Sequence, residues 1–290
     1  VQMGDFERLS KALADQWGIV DLDEIDIRPL LTLQKALRDG AWKVTIAVHR
    51  GSRITAVWPG FHDRAFGFAV DIGSTTIAAH LCNLASGEVV ASGGIMNPQI
   101  RFGEDLMSRV SYVMMNPGGE IELTRVVREG LSSLAAEVMA EANVKPDEVL
   151  NVTVVGNPIM HHLFLGIDPT ELGGAPFALS TSSGMTLWAT EVGLASIAPD
   201  ARIYMLPCIA GHVGADTAGV ILSEEPHLRD EISLVVDVGT NAEIVLGNRH
   251  GLLAASSPTG PAFEGAQISC GQRAAPGAIE RLRIDPDTLE

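Results

Sequence analysis

Cysteine is scarce in this chain and basic residues never cluster. The three cysteines, Cys82, Cys208 and Cys270, stand far apart and form no C-x-x-C spacing. They therefore predict neither a disulfide framework nor a zinc site, and each reads as a small core residue. Lysine and arginine number 20 against 36 Asp and Glu, a formal charge of −16. With no basic run to neutralise successive phosphates, nucleic acid is not an expected partner; the acidity favours solubility or a basic protein partner. Long apolar runs are missing as well. The stretch from Leu150 to Val155 is interrupted by Asn151 and Thr153, far short of the ~20 residues that span a bilayer. Val1 opens no recognisable signal peptide, so the expectation is a soluble, cytoplasmic protein with no membrane association. What the chain does have is 290 residues of which 46% are apolar, enough for two or three domains with their own cores.

The pattern changes along the chain. Phe6 to Trp17 has apolar residues at helical spacing and stops at Gly18; Leu30 to Leu37 repeats this and ends at Asp39-Gly40. Trp42 to Val48 and Arg53 to Val57 alternate around His49-Arg50-Gly51-Ser52, a hairpin signal. Residues 1–65 thus read as a small α+β domain closed by Pro59-Gly60. From Phe66 onward the chain reads as α/β. Strands are expected at Phe66 to Val70, Thr76 to Asn83 and Gly87 to Gly93, followed by helices over Phe102 to Met114 and Ile121 to Asn143. A buried strand (Asn151 to Val155), a helix (Pro158 to Leu165), an irregular excursion (Asp168 to Pro199), a strand (Arg202 to Leu206) and a small-residue helix (Gly211 to Leu222) complete residues 66–231. Residues 232–290 begin the same way again, with strands at Ile232 to Val236, Ala242 to Leu246 and Leu252 to Ser256. Such an internal duplication predicts two similar α/β lobes with a ligand cleft between them, the second lobe incomplete.

Each copy carries a short acidic turn after its first strand. Asp71-Ile72-Gly73-Ser74-Thr75-Thr76 and Asp237-Val238-Gly239-Thr240-Asn241 stand 166 residues apart, counting from 71 to 237. Glycine lets a tight turn bring backbone N–H groups close to phosphate oxygens, and Ser74, Thr75, Thr76 and Thr240 add hydroxyl donors. A bare phosphate would be repelled by Asp71 and Asp237, so their presence points to a hydrated Mg²⁺ held through water. One Asp-Gly turn after a core strand is an ordinary loop; two in register predict a nucleotide clamp.

The arrangement resembles the superfamily of acetate and sugar kinases, heat-shock chaperone ATPases and actin, in which two ribonuclease-H-like lobes close on ATP and Mg²⁺. Asn97-Pro98-Gln99, Phe102-Gly103-Glu104-Asp105, Val155-Gly156-Asn157, Met160-His161-His162-Leu163-Phe164, Gly214-Ala215-Asp216 and Gly260-Pro261-Ala262-Phe263-Glu264-Gly265-Ala266 are similar to the ATPase part of the reductive activators of corrinoid proteins. That resemblance implies an ATPase that drives reduction of cob(II)alamin to cob(I)alamin on a partner corrinoid protein, passing the electron through a [2Fe–2S] cluster of its own. It also implies a homodimer. The cluster domain of the family is not in this sequence, and three scattered cysteines do not replace its four thiolates; the superfamily's adenosine motif is expected beyond Glu290. Carried over by position, Asp71 with Gly73 to Thr76 matches the first phosphate motif and Asp237 with Gly239 to Asn241 the second. Asp216 matches the residue that orients the attacking water, against an alternative as a helix cap. Glu243 is a further candidate at the second turn, and Glu264 one for the nucleotide or lobe interface.

Other features are read as structural. His161 and His162 are neighbours about 100° apart on a helix, awkward for one metal; one is expected to pack and the other to face solvent. Arg101 and Arg109 are expected to make surface ion pairs with Glu104 and Asp105, His212 to cap a helix or meet phosphate, and Trp58 and Trp188 to lie in core or on a partner surface. Two other functions fit the same fold: a small-molecule kinase, for which the chain shows no acceptor signature, and a binding module latched by nucleotide without turnover.

Overall fold

The computed structural model describes residues 3–22, 24–239 and 241–258. Two compact units divide the chain, residues 1–215 and 216–290.

The first unit opens with α1 (Asp5–Trp17), which ends where Gly18 takes the left-handed conformation at φ 69°. After it come β1 (Glu24–Ile25), α2 (Ile27–Asp39), β2 (Val44–His49) and β3 (Arg53–Pro59), the strands in the order β1-β3-β2. One face of each helix, Leu9 and Leu13 on α1 and Leu33, Ala36 and Leu37 on α2, packs with Ile54 and Val57 into a small core. Both helices and the hairpin follow the sequence expectation; the two-residue β1 left no periodic signal to read.

A six-stranded sheet follows. Its strands are β4 (Phe66–Ile72), β5 (Thr76–Asn83), β6 (Val89–Met96), β7 (Val149–Gly156), β8 (Met185–Trp188) and β9 (Arg202–Met205), ordered β6-β5-β4-β7-β9-β8. The first three are antiparallel and β4-β7-β9 parallel. Between them run α3 (Leu106–Met115), α4 (Gly119–Glu141) and α5 (Pro158–Leu165). Phe66, Phe68, Val70 and Ile72 bury one side of β4 together with Leu131, Leu134 and Val138 of α4. The expected single helix over Phe102 to Met114 is two elements, a 3-10 turn at Pro98–Phe102 and α3. Asn97 caps the first by accepting from the Gln99 N–H at 3.0 Å, and Asp105 caps the second by accepting from Ser108 N–H at 2.8 Å, so the chain must leave helical geometry between them. Within the irregular excursion, β8 adds an antiparallel edge strand to β9.

Charged pairs tie the small module to this sheet. Asp26 and Arg202, both about 95% buried, pair at 2.9 Å; Arg53 reaches the same carboxylate at 3.2 Å, and Arg28 pairs with Asp200 at 2.5 Å. The Arg202 guanidinium also lies 4.5 Å from the centre of the Trp188 ring. Arg64 reaches Glu148 at 2.6 and 3.0 Å. That bidentate contact holds the Glu148 carboxyl below its ordinary 4.5 despite burial, which pushes the other way. A depressed carboxyl stabilises the fold above its unfolded pKa, and the contribution disappears as pH falls through the folded value. The urea midpoint of the wild type should therefore drop on acidification below about pH 4.5, and Glu148→Gln should show a shallower acid limb. Superimposable limbs would remove Glu148 from the account.

The second unit contains α6 (Ala215–Glu224), a 3-10 turn at Pro226–Leu228, β10 (Ser233–Val238), β11 (Asn241–Asn248) and β12 (Gly251–Pro258), the strands forming an antiparallel meander in chain order. All three strands fall where the sequence repeat predicts them. No helix among the described residues is long and apolar enough to cross a membrane.

Candidate functional site

Alternation along β4 turns Phe68, Val70 and Ile72 into the core and leaves Asp71 exposed at the end of the strand. Gly73, Ser74 and Thr75 then carry the chain into β5. The Gly73 N–H donates to Thr76 O at 2.9 Å, and a Cβ on Gly73 would stand only 2.7 Å from that oxygen. Only glycine closes the turn this tightly.

The carbonyls of the turn are held from behind. Asn97 donates its Nδ2 to Gly73 O at 2.8 Å and its backbone N–H to Thr75 O at 2.7 Å, while Arg109 Nη2 donates to Ser74 O. Asn97 and Arg109 are wholly buried. Arg109 also donates from Nε to Gly103 O at 3.0 Å and from Nη1 to Gln99 Oε1 at 3.2 Å, and Gln99 is fixed in turn by donating to Leu123 O at 2.9 Å. Burial lowers the Arg109 pKa to about 10, with Asp105 opposing the shift, so the side chain is cationic at neutral pH. The expected surface ion pair of Arg109 is thus corrected: its N–H groups serve oxygens of the interior, and the Asp105 carboxylate caps α3. The sequence held a signal for this, because Arg109 falls on the apolar face of α3 with Leu106, Val110 and Val113.

In the second unit Asp237, exposed near the end of β10, stands directly across from Glu243 on β11. The position that faces Asp71 is Ala78. Here the turn is one residue shorter: Gly239 N–H donates to Asn241 O at 2.8 Å. Among the described residues a Cβ on Gly239 would meet Asn241 O at an ordinary 3.5 Å, so this turn tolerates a side chain where the first does not. Thr240 lies outside the described residues. Glu243 accepts from Ser256 Oγ at 3.1 Å, and Asp216, in the first turn of α6, accepts from Thr217 N–H at 2.7 Å. Burial raises the pKa of Asp216, and the Asp237 charge raises it further against the Thr217 hydrogen bonds. Glu243 is raised likewise by burial and by the charges of Asp216 and Asp237, with the Ser256 hydrogen bond acting the other way. The charge of Asp237 thus reaches both Asp216 and Glu243. Among the described residues, no three His, Cys, Asp or Glu side chains converge closely enough to ligate an ion directly.

The remaining expectations divide. His161 and His162 are both buried, which corrects the reading that one faces solvent; α5 is enclosed from Pro158 to Phe164. His162 is a satisfied core residue, Nδ1 donating to Pro158 O at 2.9 Å and Nε2 accepting from Ser180 N–H at 3.0 Å. His161 has no hydrogen-bond partner among the described residues, and burial, then His162, pushes its pKa down to about 4. His212 is exposed and its ring lies tilted against Phe177, centroids 4.2 Å apart. Trp58 is half-buried against His62, and Trp188 half-buried under Arg202. Cys208 is buried and Cys82 half-buried, neither in a disulfide. Glu264 and Cys270 lie outside the described residues.

Three family models match in succession: the RACo linker region over residues 1–64, the RACo middle region over 66–229, and the C-terminal domain of RACo, the ASKHA domain, over 231–290. The corrinoid activation enzyme RamQ of Eubacterium limosum is 34% identical over 218 residues, which cover 75% of this chain and 36% of that protein. A Co(II) methylated amine-specific corrinoid protein reductase of Methanosarcina barkeri is 27% identical over 231 residues, 74% of this chain and 40% of the relative. Among solved structures, a reductive activator for corrinoid, iron-sulfur protein superimposes with a TM-score of 0.85 at 34% identity, covering 99% of this chain and 46% of that one. The chain thus spans less than half the length of each of these relatives. Since the middle-region match alone takes in more than half of its residues, the chain belongs to the RACo family, with an α/β fold of the ASKHA, actin-like ATPase class.

Proposed function

We propose that this chain is the nucleotide-responsive part of an ATP-dependent reductive activator, coupling binding and hydrolysis of ATP to the one-electron reduction of cob(II)alamin to cob(I)alamin on a partner corrinoid protein. The observation that carries the reading is the repeated strand–Asp–Gly–strand turn, in a chain whose relatives are named as activators or reductases of corrinoid proteins. The electron would come from a [2Fe–2S] cluster outside this chain. Residues 1–65, 66–231 and 232–290 would serve as a small joining domain and two phosphate-gripping lobes, working as a homodimer in the cytoplasm.

In this reading Gly73 to Thr76 and Gly239 to Asn241 hold phosphate oxygens, while Asp71 and Asp237 hold the water shell of Mg²⁺, with Glu243 behind Asp237. A bound Mg²⁺ would neutralise charge on the phosphate oxygens. Asp216 would orient the water whose oxygen forms the new bond to the γ-phosphorus as the bond to the ADP oxygen breaks, its carboxylate taking up the proton. The raised pKa of Asp216 supports this role, since a stronger base takes up a proton more readily. Differential affinity of nucleotide for two conformations would transmit the effect to cobalt without contact.

ATP turnover measured with and without a corrinoid protein separates this from its competitors. Partner-dependent hydrolysis is expected. Phosphoryl transfer to a sugar or acid would instead make the chain a kinase, and tight binding without turnover would make it a latch. Asp71→Ala and Asp237→Ala should each weaken Mg-nucleotide binding by about 1.5–3 kcal/mol, the value of a hydrogen bond to a charged group. Unaltered titration calorimetry in both variants rules out the clamp.

A further inference from the structure

We propose that Arg109 is the positioning residue of the first phosphate turn: with Asn97 it pulls the turn's carbonyls inward, so that the Ser74 and Thr75 amides point outward as an anion seat backed by a buried positive charge. The inference rests on reading residues 71–76 as a phosphate turn.

In a planar trans peptide the C=O of one residue and the N–H of the next point in opposite directions. Gly73 O is bound inward by Asn97 and Ser74 O inward by Arg109. The N–H groups of Ser74 and Thr75 are thereby aimed the other way, and neither donates to an acceptor among the described residues. Consecutive outward amides make a concavity that favours an anion.

The charge behind them matters as much as the shape. Arg109 is wholly buried, and its hydrogen bonds run to Ser74 O, Gly103 O, Gln99 Oε1 and the Met160 sulfur, all uncharged acceptors, with the Asp105 charge acting on it without a hydrogen bond. None of these acceptors cancels its charge, and a buried charge is screened far less by salt than a surface one. It offsets the repulsion that Asp71, two residues before Gly73, exerts on phosphate. Three oxygen acceptors lying in different directions also demand a forked planar donor, which lysine does not supply.

The test titrates Mg-ATP into wild type, Arg109→Met, Arg109→Lys and Asp71→Ala, by calorimetry, and follows the Ser74 and Thr75 amide signals by NMR. Arg109→Met should bind Mg-ATP roughly tenfold to a hundredfold more weakly, the loss of a charge-assisted hydrogen bond. Its Ser74 and Thr75 amides should no longer shift on addition of Mg-ATP, while Arg109→Lys, keeping charge but not the fork, recovers part of the affinity. Should Arg109→Met fail to fold, Asn97→Ala, which removes the donor to Gly73 O, is expected to give the same loss of affinity and of amide shifts. A purely structural arginine would lower the melting temperature and leave the affinity of the folded protein unchanged. Wild-type affinity in Arg109→Met, or in Asn97→Ala, together with weakened binding in Asp71→Ala overturns this inference and keeps the phosphate turn; no Mg-ATP binding by the wild type overturns both.

Discussion

Asp216→Asn is expected to reduce ATP hydrolysis by about 10²–10⁴-fold, the usual worth of a positioned general base, while melting no lower than the wild type. The two halves of this expectation have a single cause. Burial and the Asp237 charge raise the Asp216 pKa above its ordinary 3.8. A carboxyl whose folded pKa is raised binds its proton more tightly in the folded state. Ionising it at neutral pH therefore costs folding stability, and that cost fades as pH falls through the raised value. Asparagine keeps the oxygen that accepts from Thr217 N–H at 2.7 Å and removes the charge. Its melting temperature should exceed that of the wild type at neutral pH, and the gap should close on acidification. This is the signature of a residue kept for chemistry at the expense of stability. If turnover is intact in the variant, Asp216 is a helix cap and the water is oriented elsewhere.

Arg202→Ala should destabilise the protein by about 3–5 kcal/mol, because it leaves the Asp26 carboxylate in the interior with one of its two arginines gone. For a unit of this size that corresponds to a fall in melting temperature of roughly 6–20 °C. The same substitution strips the cation from the Trp188 ring, 4.5 Å away. Arg53 remains at 3.2 Å from Asp26 but is shared with Glu24, so it compensates only in part. The informative control is the pair Asp26→Leu with Arg202→Met. Since a buried ion pair replaced by apolar groups is often neutral or stabilising, the double variant should regain most of the loss. Equal melting of Arg202→Ala and wild type would show that the pair adds nothing to stability.

The sequence made some of this structure legible and hid the rest for identifiable reasons. Helices α1, α2 and α5 and the strands of both repeats announce themselves through periodicity and through stops such as Gly18 and Asp39-Gly40. Asp71 and Asp237 could be picked out because each follows an apolar run and precedes a glycine. The scaffolding behind the first turn is harder to read. Arg109 looked like a surface charge beside Glu104 and Asp105, since charged neighbours in sequence suggest partners, whereas helix periodicity rotated it into the core. Asn97 touches Gly73 and Thr75 across 24 and 22 positions of chain, a pairing set by β5–β6 register that no local pattern carries. β8 went unseen because four residues in a stretch rich in glycine, serine and threonine leave too little alternation to detect.

The antiparallel neighbour of each aspartate differs, Ala78 for Asp71 and Glu243 for Asp237, and among the described residues a buried arginine, Arg109, is fastened to the carbonyls of the first turn. On the proposed reading the duplicated hairpins would be electrically unlike, the first hospitable to negative oxygen and the second to a hydrated divalent ion. If the proposed clamp operates, the divergence of the two copies would favour the metal-chelated form of the nucleotide over the free one.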